Sequence, residues 1–257
     1  MRFDLVIRRG KLVFPKQGIL EGDIGIKDGK ISAFLKPGED LSSDSSIDAH
    51  GLHVFPGVIE PHSHIGIGAG TRDLGTETKA AAQGGVCTNL FFLRQPEPYD
   101  TLYREMKEAG ESLAYGDFSF HLVLLIDEHI SSIKRYVDQW GITSFKFYLT
   151  YRGEDAKMLG ADGVFRQVDG VDDGFMYDCF REVAKFPRAL IICHAEDIEI
   201  ILRERKKLMA AGRDDMDALQ SSRPLIAELE GVRRALLFAE MAGCSINLLH
   251  LSSQAAL

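Results

Sequence analysis

The stretch VFPGVIEPHSHIG, residues 54–66, is an apolar run that ends on two histidines separated by one residue. In a strand, residues i and i+2 share a face, so His62 and His64 project in one direction, with Glu60 beside them. Two neutral imidazoles side by side can grip a metal ion. Two surface histidines at a strand end fit the same spacing, so the rest of the chain has to choose.

Toward the amino terminus the chain alternates on a period of two. DLVIRRGKLVF reads as strand, turn and strand, and DIGIKDGKISAFL as a second pair around Asp28-Gly29, a hairpin signal. The polar KPGEDLSSDSS then leads to IDAHGLHVF. Residues 1–55 are expected to form a small β module.

After Pro56-Gly57 strands alternate with helices, and residues 56–257 are expected to form a second domain. The strand candidates are 58–64, 86–93, 118–126, 143–149, 189–194 and 245–250. Helical stretches at 76–83, 99–113, 129–140, 172–186, 197–212 and 224–243 separate or follow them, several closed by glycine (Gly84-Gly85, Gly212, Gly243). This α/β grammar implies a parallel sheet covered by helices, either a doubly wound sheet or a (β/α)8 barrel. There are about six βα units where a barrel needs eight, so a barrel reading makes this chain an incomplete one, stopping after strand six.

The bulk composition narrows the classes. The formal net charge is −8 over 257 residues, with both signs mixed, which argues against nucleic acid and anionic membrane as partners. No apolar run is long enough for a membrane span, and the start MRFDLVIRRGKLVF does not read as a secretory signal. Cys87, Cys179, Cys193 and Cys244 form no CxxC pair and read as reduced, mostly buried thiols of a cytoplasmic protein. Cys193 beside His194 is taken as incidental.

Ligand-type residues recur at strand ends. SFKFYLTY puts Phe145, Phe147 and Leu149 on one face and Ser144, Lys146, Tyr148 and Thr150 on the other. ALIICHAE ends an apolar strand on His194, and SINLLHLSS does the same with His250. Taken singly, each is an ordinary polar terminus, or for the lysine a snorkelling or ion-paired side chain. Jointly, His62, His64, Lys146, His194 and His250 fall at matching ends of four strands, where parallel α/β folds build active sites. His53, His121 and His129 fit no such pattern and are assigned to packing or surface.

The motifs PGVIEPHSH, SFKFYLTY, CHAE and LLHLSS, in this order, resemble the successive metal motifs of the cyclic amidohydrolases, the hydantoinase and dihydropyrimidinase group in particular. The resemblance implies a (β/α)8 TIM barrel with a β-sandwich built from both chain ends, of which residues 1–55 would be the amino-terminal part. It implies two divalent metal ions, zinc first among them, held by His62, His64, His194 and His250. Lys146 would be carboxylated by carbon dioxide to a carbamate that bridges the ions. The substrate would be a small cyclic amide, and the protein a homo-oligomer, dimer or tetramer. Tyr151, five residues after Lys146, stands where such enzymes use a tyrosine to hydrogen-bond substrate and oxyanion.

Chemistry agrees with this assignment, since a lysine with a pKa near 10.4 is a cation, whereas its carbamate is a two-oxygen anion suited to two dications. Three departures mark the chain. The family's strand-eight Asp has no counterpart here, so the chain as written is expected to turn over little. Glu60 replaces the usual Asp two residues before the first metal histidine, which can alter the support of that ligand. Gly66 stands where dihydroorotases usually place an arginine. Allantoinase and dihydroorotase remain alternatives, as does a non-catalytic dihydropyrimidinase-like scaffold.

Overall fold

The computed structural model describes residues 2–39, 42–66, 70–152, 156–159, 165–167 and 171–257. The first segment read as strand, turn and strand is one continuous strand, β1 (Phe3–Phe14). Arg9 takes φ 60°, and the register against β2 (Gly18–Lys27) shifts between Ile7 and Gly10. Arg9-Gly10 is therefore a bulge within a strand, and the Arg9 amide it frees donates to Asp23 Oδ1 at 2.7 Å. The Asp28-Gly29 turn forms as expected, with φ 53° and 70°, and joins β2 to the antiparallel β3 (Lys30–Leu35). β4 (Ser43–Asp48) and β5 (His53–Val54) pair parallel with β1, giving the order β3-β2-β1-β4. Among its described residues the unit Met1–Val58 thus holds a single sheet, without the second layer of a sandwich.

The unit Ile59–Leu257 carries the alternating elements. In chain order these are β6 (Val58–Ser63), α1 (Asp73–Gln83), β7 (Val86–Leu93), α2 (Asp100–Leu113), β8 (Asp117–Val123), α3 (Asp127–Ser131) and α4 (Ile133–Trp140). Then come β9 (Ser144–Tyr148), a short hairpin β10 (Lys157–Leu159) and β11 (Phe165–Gln167), and α5 (Asp173–Val183). β12 (Leu190–His194), α6 (Ile198–Ala210), α7 (Met216–Ser221), α8 (Leu225–Ala242) and β13 (Ser245–Leu248) complete the set. The sheet order is β13-β12-β9-β8-β7-β6, so each βα step lays its strand beside the previous one. The β7–β8, β8–β9, β9–β12 and β12–β13 pairings are parallel.

Two details depart from the sequence reading. The helix expected over 129–140 is broken at Ser132, whose φ of −90° and ψ of −5° end α3 before α4 starts. β8 stops three residues short of the expected 126. The hairpin β10–β11 and the short α7 carry no periodic signal and were not expected.

Strand alternation separates two apolar clusters. Phe91, Leu93, Leu122, Phe145, Phe147, Leu149, Ile191 and Cys193 pack with helix residues such as Tyr99, Tyr136, Phe180 and Val232. Phe92, Val123, Leu125, Tyr148, Ile192 and Leu249 form a smaller cluster from the intervening strand positions. The first face is the helix-covered core; the second is the face of Lys146.

Candidate active site

Lys146 belongs to that second face. Its register partners are Val123 and Ile192, and its side chain is fully buried. The face expected to be polar is therefore enclosed. Lys146 Nζ sits 4.1 Å from the Phe92 ring centre and 4.2 Å from that of Tyr148, and it has no hydrogen-bond partner. Burial, reinforced by the charge of Arg94, lowers its pKa to about 8. A substantial share of this amine is thus neutral and nucleophilic near physiological pH.

The four histidines gather around it in two pairs. His62 Nε2 faces His64 Nε2 at 3.2 Å, and His194 Nδ1 faces His250 Nε2 at 3.1 Å. The pairs meet where the His62 and His250 ring centroids lie 5.5 Å apart. Phe92 forms a floor beneath His62 and His64, with both ring centroids 5.0 Å from its own. Burial first, and then the charge of Lys146, lowers His62 and His64 to about 4, and the same causes with His194 lower His250. His62 and His64 are thus neutral at pH 7, the form in which imidazole binds a metal.

Supports outside the five residues fix the rings. Glu60 Oε1 accepts from the His62 amide at 2.8 Å, so the glutamate caps the strand end. Glu196 Oε2 lies 2.6 Å from His194 Nε2, which leaves Nδ1 directed at His250. The His194 contact and the guanidinium of Arg223, 3.6 Å away, hold the Glu196 carboxyl below the ordinary range. A carboxylate behind an imidazole fixes its tautomer and ring orientation. The loop carrying Glu196 is clamped by α8: Asp197 N donates to Ala227 O at 2.9 Å, and Arg234 Nη2 donates to Asp197 Oδ2 at 3.1 Å. His250 takes φ 39°, an uncommon conformation for histidine, and the next turn is tied back as Ser252 N donates to Glu228 Oε1 at 2.7 Å.

Tyr151 lies at the rim of this face, its ring centroid 4.7 Å from that of Tyr148. Its hydroxyl accepts a hydrogen bond from Arg94 Nη1 at 2.5 Å. Arg94, Glu196 and Phe92 were not singled out from the sequence. Glu196 sits inside the quoted CHAE, two residues from its partner, and was recoverable; Arg94 is 57 residues from Tyr151 and was not. Of the three histidines assigned to packing or surface, two are hydrogen-bonded inside the fold and one is at the surface. His121 bridges Pro61 O and Ser144 Oγ, His129 accepts from the Leu125 amide and contacts Glu97 O, and His53 is exposed on β5.

Neutral imidazoles are the donor type that could hold a metal ion here. Among the described residues no three His, Cys, Asp or Glu side chains close into a ligand cluster. Two imidazole pairs with an unpartnered buried amine beside them leave the lysine as the group that would join the pairs.

No family model matches the chain. The chain is 32% identical over 258 residues to an L-hydantoinase of Paenarthrobacter aurescens, covering 98% of this chain and 53% of that protein. It is 34% identical over 263 residues to an allantoinase of Enterococcus faecalis, covering 99% and 55%. The structure of an L-hydantoinase (dihydropyrimidinase) from Arthrobacter aurescens superposes with a TM-score of 0.84 at 29% identity, covering 99% of this chain and 54% of the other. The chain spans about half the length of the curated relatives it matches. By sequence and by fold it belongs to the cyclic amidohydrolases, the group of the hydantoinases, dihydropyrimidinases and allantoinases.

Proposed function

We propose that these residues form part of a metal-dependent hydrolase that opens a cyclic amide of the hydantoin or dihydropyrimidine type. The observation that carries the reading is Lys146 Nζ, buried without a partner on the sheet face whose end carries two pairs of imidazoles. A buried amine without a partner calls for an explanation, and a role in chemistry supplies one. His62, His64, His194 and His250 would hold two divalent ions, zinc first among them, with Lys146 as the bridging carbamate. To form it, the neutral amine nitrogen bonds to the carbon of carbon dioxide, one C=O π bond becomes the carboxylate charge, and a proton leaves nitrogen for solvent. When bound, the ions supply Lewis acidity toward a ring carbonyl and a hydroxide nucleophile at neutral pH. Tyr151 would donate its hydroxyl proton to the developing oxyanion, while Phe92 and Tyr148 keep bulk water from the lysine. Glu196 would hold His194 in the tautomer that leaves Nδ1 free.

The activity is proposed for a protein of which this chain supplies six βα units of a (β/α)8 barrel. A carboxylate from outside these residues would move the proton to the leaving nitrogen. Ile31, Phe34 and Ile47, each more than half exposed, support a second sheet over the amino-terminal one to complete a sandwich. Met216, Leu225 and Ile226, also more than half exposed, support contact between copies in a homo-oligomer. Four unpaired cysteines fit a reducing, cytoplasmic setting, and no described helix is long and apolar enough to cross a membrane. Allantoin hydrolysis is the second reading, favoured by the 34% identical allantoinase.

Turnover of hydantoin, dihydrouracil and allantoin by the full-length protein tests the proposal. Ring opening that disappears in Lys146→Ala, and partly returns with short carboxylic acids, is the expected result. A Lys146→Ala protein that keeps both metal and turnover would overturn the bridging role.

A further inference from the structure

Arg94 follows β7 directly and alternates with Phe92, which places it on the face that carries Lys146 and the histidines. It is partly buried, and its charge is felt at both His64 and Lys146. One of its N–H groups is spent on the Tyr151 hydroxyl, a neutral acceptor. Among the described residues no carboxylate pairs with it. The acids close to the site are already engaged: Glu60 on the His62 amide, and Glu196 between His194 and Arg223. A guanidinium carries five donors in a rigid fork that matches a carboxylate in a bidentate fashion, and it cannot shed its charge. A partly buried arginine whose partner among the described residues is a neutral hydroxyl, with Lys146 nearby and no carboxylate on it, carries an electrostatic cost that an anionic ligand would offset.

We propose that Arg94, braced by Tyr151, is a specificity-determining residue that reads a carboxylate substituent on the cyclic amide. The inference rests on the reading of this site as a cyclic amidohydrolase and narrows its substrate class to ring amides bearing an acid side arm. Tyr151 accepts from Arg94 through its oxygen lone pair, so its own proton stays available to the ring. The remaining edge of the guanidinium stays available to the substituent. One pair of side chains would then read ring and substituent together, fixing the orientation in which the ring enters.

The test uses full-length protein and two probes of closely similar shape, one anionic and one neutral, hydantoin-5-acetic acid and hydantoin-5-acetamide, with dissociation constants measured by calorimetry. Wild-type protein should bind the acid roughly tenfold more tightly than the amide, the scale of one charge-assisted bidentate contact. Arg94→Gln should cost the acid about tenfold more affinity than it costs the amide, and Arg94→Lys should retain part of the preference. Thermal unfolding of each variant checks that it is folded. Equal binding of the two probes by wild type would overturn the inference. So would a preference that survives Arg94→Gln, or an equal loss for both probes, which would reduce Arg94 to a support for Tyr151. If neither probe binds while unsubstituted hydantoin or dihydrouracil is opened, the inference fails and the functional proposal stands. If no ring is bound or opened, both fail.

Discussion

β9 shows two kinds of packing one residue apart. Phe145, Phe147 and, just past the strand, Leu149 face the helices and pack in the larger apolar cluster. Lys146, on the opposite face, is as fully buried and has nothing to bond to. The first face is arranged for cohesion, and the second is the one the proposal assigns to chemistry. Burial that stabilises on one side lowers, on the other, the pKa of an amine to about 8. Substitutions on the two sides should therefore move stability in opposite directions.

The largest effect belongs to the cohesive face. Phe147→Ala is expected to destabilise the protein by about 3–5 kcal/mol, the cost of emptying an aromatic site in a close-packed core. Urea denaturation measures it, and a loss below about 1 kcal/mol would mean that this face is not the core. Gly231→Ala comes next. A Cβ there would lie 2.7 Å from Ala195 C and 2.8 Å from Glu196 N, backbone atoms that cannot turn aside. About 1–3 kcal/mol is expected, with movement of the loop that aims His194.

The chemical face should respond with the other sign. Lys146→Met removes an unsatisfied amine and keeps the volume, so the metal-free protein should gain about 1–3 kcal/mol at pH 7. A loss of stability in that variant would erase the contrast between the faces. The smallest expected effect is on acid stability. His62 and His64 titrate near 4 in the folded protein, below the ordinary 6.5. Between those values the unfolded chain takes up protons that the folded state refuses. Stability of the metal-free protein should therefore fall as pH drops from about 6.5 toward 4. The double variant His62→Gln, His64→Gln should be flatter over that window, and an identical slope would place the two rings in water.

The parts of this contrast that were legible in the sequence are the local ones. A period of two put His62 beside His64 and separated Lys146 from Phe145 and Phe147, because strand geometry leaves no other arrangement. Apolar runs ending on His194 and His250 gave the ends of two more strands. Arg9-Gly10 was misread as a turn because a bulge and a hairpin use the same residues, and only pairing with β2 distinguishes them. The break at Ser132 has no helix-breaking residue to announce it. The enclosure of Lys146 and the Arg94–Tyr151 bond depend on strands far apart in sequence, which no local pattern records.

The central claim is that the buried lysine and the two imidazole pairs make one metal site. Metal content of the purified full-length protein, measured by elemental analysis on wild type and Lys146→Ala, tests it most directly. The account predicts close to two divalent ions per chain in the wild type and loss of metal in the variant. Wild-type protein without stoichiometric metal, or a variant that keeps the full complement, would contradict it.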